Sequence, residues 1–97
     1  MIRHVVLFTA RDPADVPKIH EGLSLLTGIV HARRVEVALN TKTDALSKEI
    51  DVAVYAEFDD EAQLAAYKAH PLYQRSIDLV RPLRDKRIAV DFFSPAD

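Results

Sequence analysis

The sequence contains no cysteine, so the chain has no disulfide, no thiolate nucleophile and no thiolate metal ligand. Glycine is scarce as well, at two in 97 residues, and neither a glycine-rich phosphate loop nor a nucleophile elbow is present. No charge of one sign dominates, because 13 basic and 15 acidic residues leave a formal charge of -2 with both signs scattered. Such a surface does not concentrate phosphate polymers or anionic lipids, so we expect neither a nucleic acid nor a membrane as partner.

Long apolar runs are missing too. The first residues lead into a short apolar segment without the features of a signal peptide, and no segment approaches the length of a membrane span. Hydrophobic residues make up 48% of the chain, which is ordinary for a globular protein, and 97 residues can house one core but not two. We therefore expect a single domain over residues 1–97, located in the cytoplasm.

The first half of the chain predicts a strand, a helix and a second strand. Residues 2–8 are mostly apolar and too few for a stable helix, and their apolar side chains fall on both faces of a strand. Asp15 is expected to cap a helix that ends near Gly28, where a left-handed residue would stop it. Residues 30–39 predict the second strand, and the polar residues 40–48 predict an exposed connection that could carry a binding loop.

The second half predicts a strand, a broken helix and a last strand. Residues 50–58 alternate between apolar and mixed positions, which is typical of a strand. Asp60 is a candidate helix cap, with Gln63 placed as in a capping box. The dipeptide His70-Pro71 interrupts this helix and begins another, because the residue before a proline avoids the helical region. Residues 87–93 predict the last strand.

This βαββαβ order predicts a ferredoxin-like α+β domain, in which a four-stranded antiparallel sheet carries its helices on one face. The opposite face would be bare, yet the first strand has few polar residues, and we expect Phe93 to lie exposed on that face beside Ala89. A second copy of the domain is the simplest cover. Each large apolar side chain buried there contributes about 1.5–3 kcal/mol, so we expect a homodimer.

Three segments, residues 2–8, 58–71 and 88–92, resemble the stress-responsive A/B barrel (Dabb) family, and the resemblance covers essentially the whole chain. Its most specific element is the spacing of Tyr67 from His70-Pro71. The resemblance implies a dimeric α/β barrel, in which two ferredoxin-like sheets face each other around a cavity. It implies little about activity, because a fold does not determine a function.

Some members of that family are cofactor-independent polyketide cyclases. The resemblance carries two of their working positions to His4 and Tyr67, which are therefore our candidate catalytic residues. The histidine that those cyclases have shortly after the proline corresponds to Tyr73 here, and a further histidine of theirs corresponds to Val52. The histidine thought to act as base is thus absent, which argues against cyclase activity.

Four residues are candidate ligand contacts: His4, Tyr67, Tyr73 and His70. His4 could act as an acid, a base or a polar anchor inside the barrel, or it could be a hydrogen-bonded interface histidine without a ligand. The two tyrosines flank the helix break and could donate hydrogen bonds to a ligand oxygen, or simply pack. His70 could titrate near the pocket, or serve the end of its helix.

Metal ions and cofactors have little support in the sequence. Glu57, Asp59 and Asp60 could hold a hard cation, but helix capping explains two of the three. His20 and His31 have no partner at a metal-ligand spacing. We therefore expect no metal and no cofactor.

One basic cluster occurs near the end of the chain, and a solvated turn accounts for it better than an anion site does. It comprises Arg81, Arg84, Lys86 and Arg87.

Three functions remain open. The first is a homodimer that binds a small apolar or aromatic molecule in its barrel cavity. The second is a cofactor-independent cyclase, isomerase or oxygenase-like enzyme that acts on a polyketide-type or quinone-type substrate. The third is a stress-linked structural or interaction dimer without a ligand.

Overall fold

The structure is a computed structural model that describes residues 1–96. Four antiparallel strands form one sheet in the order β2-β3-β1-β4, and they are β1 (Ile2–Ala10), β2 (Arg34–Leu39), β3 (Val52–Phe58) and β4 (Arg84–Phe93). The helices are α1 (Val16–Ser24), α2 (Glu61–Ala69) and α3 (Pro71–Val80). The ferredoxin-like order predicted from the sequence is therefore confirmed.

The core lies between the helices and one face of the sheet. Alternate residues of β1, namely Ile2, His4, Val6 and Phe8, are all buried on this face. Their partners on β3 are equally buried, because directly paired residues of an antiparallel sheet share a face. Because side chains alternate between the two faces of a strand, His4 lies on the same buried face as Ile2, Val6 and Phe8.

The first helix differs from the prediction at both ends. Asp12, rather than Asp15, provides the side-chain cap, and it caps a short 3₁₀ turn at Pro13–Asp15 that precedes α1. The helical path then tightens into a second 3₁₀ turn at Leu25–Gly28. Gly28 has no positive φ, so the predicted left-handed stop is wrong, and the 3₁₀ turn ends the helix instead.

The connection between β2 and β3 is held to the sheet by the carboxylate of Asp51. Its Oδ2 accepts the backbone N–H of Ala10 at 2.8 Å, and its Oδ1 contacts Lys42 Nζ at 2.7 Å. Partial burial opposes ionisation of this carboxyl, but the hydrogen bonds from Lys42 and Ala10 outweigh that effect and lower its pKa.

We expect Asp51→Asn to lower the free energy of unfolding by about 1 kcal/mol at neutral pH. Because the pKa of Asp51 is lower in the folded protein, its contribution is present above pH about 4 and is lost as the pH falls through the folded pKa. Urea titrations from neutral to acidic pH therefore test the assignment. The difference between wild type and variant shrinks on acidification; a constant difference would contradict the proposed ionisation.

The predicted break between α2 and α3 is confirmed at His70-Pro71. Asp60 caps α2 by accepting the backbone N–H of Gln63 at 2.9 Å, also as predicted. His70 is extended, with φ -70° and ψ 141°, and its Nδ1 accepts the N–H of Leu72 at 3.1 Å. The imidazole therefore caps the beginning of α3 through its Nδ1.

This cap predicts a contrast between two substitutions. His70→Ala removes the acceptor and is expected to lower the free energy of unfolding by about 1 kcal/mol. His70→Asn supplies a side-chain oxygen at the same position and is expected to retain most of that stability. Thermal unfolding of both variants measures the contrast, and equal losses would show that the hydrogen bond does not contribute.

The sheet face that turns away from the helices, here called the open face, is apolar along β1 and β4. Ile88, Val90 and Phe92 are 49%, 54% and 42% exposed there, next to the half-buried Val5 and Leu7. Toward β3 the face becomes polar, because Arg3, Tyr55 and Glu57 form a hydrogen-bonded group.

The expected place of Phe93 and Ala89 on the open face is wrong. They pair with Ile2 and Val6, and they therefore lie on the helix side. They remain exposed on that side because the helices pack mainly over β2 and β3 and leave β4 bare. Within residues 1–96, none of the helices is long and apolar enough to cross a bilayer.

Candidate functional site

A cavity of about 330 Å³ lies between the helices and the sheet, on the side where β4 extends beyond the helical layer. Its polar lining includes His4, Tyr67, Tyr73 and Ser76. An apolar part of the wall comes from the sheet and from the helical layer: Val6, Phe8, Leu23, Leu26, Val54, Ile77 and Val80. Its volume is at the lower end of the range of small-molecule sites, about 300–1,000 Å³.

This cavity belongs to one protomer. From the sequence, the His4-lined cavity was expected inside a barrel between two facing sheets, and the structure corrects that placement. His4 shares its pleat face with Val6 and Phe8, and that face points at the helices rather than at the open face. A ligand next to His4 would consequently lie under the helices of a single chain.

Tyr67 is fully buried on α2, with 0% exposure, and its ring packs among three aromatic neighbours. The ring centroids lie 4.8 Å from Phe58, 5.3 Å from Tyr73 and 6.2 Å from His4. Within residues 1–96 its hydroxyl has no hydrogen-bond partner. Leaving a buried polar group unpaired costs about 1–3 kcal/mol, so this atom is the least satisfied part of the core.

The hydroxyl of Tyr67 is also held in its neutral form. Burial raises its pKa well above the ordinary value near 10, Tyr73 adds to the rise, and the positive charge of Arg87 opposes it. A phenol that stays protonated is a hydrogen-bond donor, not a base. Tyr67 is therefore suited to donate to an oxygen of a bound molecule.

His4 is oriented by a residue that the sequence did not single out. Asp91 stands directly opposite His4 in the pairing of β1 with β4, and its Oδ1 accepts a hydrogen bond from Nδ1 of the imidazole. In the part of the chain that the structure describes, Nε2 makes no hydrogen bond. With the proton on Nδ1, Nε2 is an acceptor on a residue that lines the cavity.

The four predicted ligand contacts divide into two groups. His4, Tyr67 and Tyr73 line the same cavity, so the structure brings them together. His70 is outside the cavity lining; it caps α3 and packs its ring 6.2 Å from that of His31. The capping role of His70 at the helix break accounts for this residue without a ligand.

The carboxylates considered for a cation have separate partners. Glu57 bonds to Arg3 and Tyr55 on the open face, Asp59 pairs with Arg33, and Asp60 caps α2. Among residues 1–96 no group of three His, Cys, Asp or Glu side chains is placed to hold a metal ion.

Three members of the basic cluster near the turn between α3 and β4 also line the cavity. These are Arg81, Arg84 and Arg87, and Lys68 of α2 belongs to the same lining. Lys86 is not in the lining, although its backbone N–H donates to Thr9 Oγ1 at 2.8 Å. The solvent-facing side of the cavity is therefore cationic.

Comparison with known proteins agrees with this fold. A sequence model of the family described as "Stress responsive A/B Barrel Domain" matches residues 2–94. A stress-response A/B barrel domain-containing protein of Arabidopsis thaliana is 28% identical over 100 residues, which cover 97% of this chain and 37% of that protein. The chain thus spans little more than a third of the length of this curated relative.

Solved structures give the same picture. A dimeric ferredoxin-like protein of unknown function from Thermobifida fusca is 29% identical, with a TM-score of 0.79 over 94% of this chain and 88% of that one. An antibiotic biosynthesis monooxygenase is 12% identical, with a TM-score of 0.78 over 97% of this chain and 98% of that one. At that identity the second likeness shows the fold alone.

Proposed function

We propose that this chain, which belongs to the stress-responsive A/B barrel domain family, forms a homodimer. Each protomer of that dimer binds a small apolar or aromatic molecule. The site is the cavity between the helices and the sheet. The observation that carries the proposal is the buried, unpaired hydroxyl of Tyr67 beside that cavity. Native cores rarely keep such a group unless something outside the chain satisfies it.

The lining agrees with this class of ligand. Apolar side chains from the sheet and the helices form one part of the wall, so an apolar or aromatic body would replace water there favourably. Among the polar side chains that line the space, Tyr67 is the one whose buried hydroxyl lacks a hydrogen-bond partner in residues 1–96. A carbonyl or hydroxyl oxygen on the ligand could accept a hydrogen bond from the Tyr67 hydroxyl and so satisfy it.

The dimer is supported by the open face and by a relative. Apolar side chains of β1 and β4 stand exposed on a face that no helix of the protomer covers. The protein from Thermobifida fusca, which shares this fold at 29% identity, is dimeric. Packing two open faces against each other would leave both protomer cavities on the outer sides of the sheets.

A binding measurement with two tryptophan variants tests the cavity. We expect naphthol, a small aromatic alcohol, to shift the amide resonances of cavity residues such as Ile77 in a nuclear magnetic resonance titration. Ile77→Trp fills the cavity and is expected to abolish binding. Leu79→Trp, on the same helix but outside the cavity lining, is the matched control and is expected to bind normally. Binding that survives in Ile77→Trp would place the ligand elsewhere, and no binding in wild type would favour a structural dimer.

A second candidate function is proton transfer, and the pairing of His4 with Asp91 favours it. A carboxylate that holds Nδ1–H leaves Nε2 as a general base, and Tyr67 could stabilise the enolate that forms on deprotonation next to a carbonyl. This would be cofactor-independent chemistry on a polyketide-type or quinone-type substrate. It uses His4 in place of the base that is missing at Tyr73.

Deuterium exchange at the acidic carbon of an aromatic diketone tests this second function. Wild type is expected to accelerate exchange over buffer, and His4→Phe is expected to lose the acceleration. His20→Phe is the control, because His20 bonds to Val37 O outside the cavity. Exchange that persists in His4→Phe would remove the proposed base.

A further inference from the structure

Four cationic side chains from three parts of the fold converge on the cavity. Lys68 comes from α2, Arg81 follows α3, and Arg84 and Arg87 belong to β4. No aspartate or glutamate is among the lining residues. Three of the four are exposed and Arg84 is half-buried, so the charges stand on the side of the cavity that faces solvent.

None of these four cations forms an ion pair with a residue in the range 1–96. Asp91, the acidic neighbour on β4, is engaged by His4. The ion pairs of the described chain use other cations, and these are Arg3, Lys18, Arg33, Arg34 and Lys42. Since the protein as a whole carries a formal charge of -2, a general excess of basic residues does not explain the cluster.

Unpaired like charges around a cavity repel one another, and an anion placed among them removes that repulsion. Arginine is the side chain best matched to a carboxylate, because its planar fork can donate two parallel hydrogen bonds. The cavity thus has two chemically different parts. An apolar wall with one unused phenol donor forms the inner part, and a group of cations forms the outer part.

We propose that the ligand of this cavity is an organic anion, an apolar or aromatic body that carries a carboxylate, bound with that carboxylate against Arg84 and Arg87. The proposal rests on the proposed function, because it names the class of molecule that the same cavity takes. The body lies along the aliphatic wall, and an oxygen on it meets the hydroxyl of Tyr67. A neutral molecule of the same shape lacks the group that the arginines recognise.

Two probes that share a ring and a hydroxyl but differ in charge test the proposal on the full chain. Hydroxynaphthoate carries the carboxylate, and its methyl ester has the same ring and hydroxyl without the charge. Isothermal titration is expected to show the acid binding at least about tenfold more tightly than the ester. Added sodium chloride is expected to weaken binding of the acid and to leave the ester unchanged, since screening acts on the charged probe.

Two double variants with the same change in net charge complete the test. Arg84→Gln with Arg87→Gln is expected to reduce the affinity for the acid by about tenfold or more and to leave the ester unaffected. Lys48→Gln with Arg75→Gln removes two exposed cations outside the cavity lining and is expected to change neither affinity. Thermal unfolding of both variants confirms that they fold.

The outcomes separate this inference from the proposed function. If acid and ester bind equally, or if the two double variants behave alike, the preference for an anion is overturned while binding in the cavity stands. If neither probe binds to folded wild type at millimolar concentration, the proposed function fails, and the inference fails with it.

Discussion

Tyr67→Phe is expected to stabilise the unliganded protein and to weaken its binding of ligand. The substitution keeps the buried ring and removes a hydroxyl that has no partner in residues 1–96, so the free energy of unfolding should rise by about 1 kcal/mol or more. For a chain of this size that corresponds to a rise of about 4–8 °C in Tm. The same hydroxyl is the proposed donor to the ligand, so affinity for naphthol should fall about tenfold.

Tyr73→Phe is the matched control for this prediction. Tyr73 lines the same cavity and is only half-buried, and its hydroxyl is not an unpaired buried atom. We expect little change in its Tm. Calorimetry and a naphthol titration on the two variants give both quantities. A loss of stability in Tyr67→Phe would mean that the hydroxyl has a partner in solution, and the argument for a ligand would then fail.

Val90→Asp is expected to convert the proposed dimer into monomers. Val90 is 54% exposed at the apolar end of the open face, and a twofold interface would contain the substitution twice. Each lost valine contact costs about 2 kcal/mol, before the cost of burying a carboxylate is added. The two sites together weaken association by about a thousandfold or more.

Val30→Asp provides the control for the open face. Val30 is 86% exposed and lies outside the sheet, so the same change of side chain there should leave the assembly unaffected. Sedimentation or light scattering at micromolar concentration measures the mass of wild type and of both variants. A monomeric wild type, or a dimeric Val90→Asp, would contradict the assignment of the open face as the interface.

Much of the fold could be predicted from local patterns. The strands follow from short apolar segments, which alternate clearly in β3, and the break between α2 and α3 follows from the effect of Pro71 on the residue before it. The prediction of which sheet face a residue occupies fails where the sequence pattern is compatible with either face. Apolar side chains lie on both faces of β4, so the pattern alone does not say that Phe93 points toward the helices, and only its pairing with Ile2 decides that.

The candidate site was predictable in part. Resemblance to the family indicated His4 and Tyr67, and the structure brings both to one cavity. Asp91 could not be identified in advance, because its contact with His4 depends on the register between β1 and β4. The position of the arginines depends on how far the helices cover the sheet, which periodicity does not reveal. The basic residues near the turn after α3 line the cavity because of the long-range packing of helices on the sheet, which the composition of that segment does not indicate.

The location of the ligand is the central claim, and a crystal structure of the protein with bound hydroxynaphthoate tests it most directly. We predict one molecule in each protomer, between the helices and the sheet, with an oxygen about 3 Å from the hydroxyl of Tyr67 and the carboxylate against Arg84 and Arg87. A molecule bound between two facing sheets, with the Tyr67 hydroxyl still unpaired, would contradict the account.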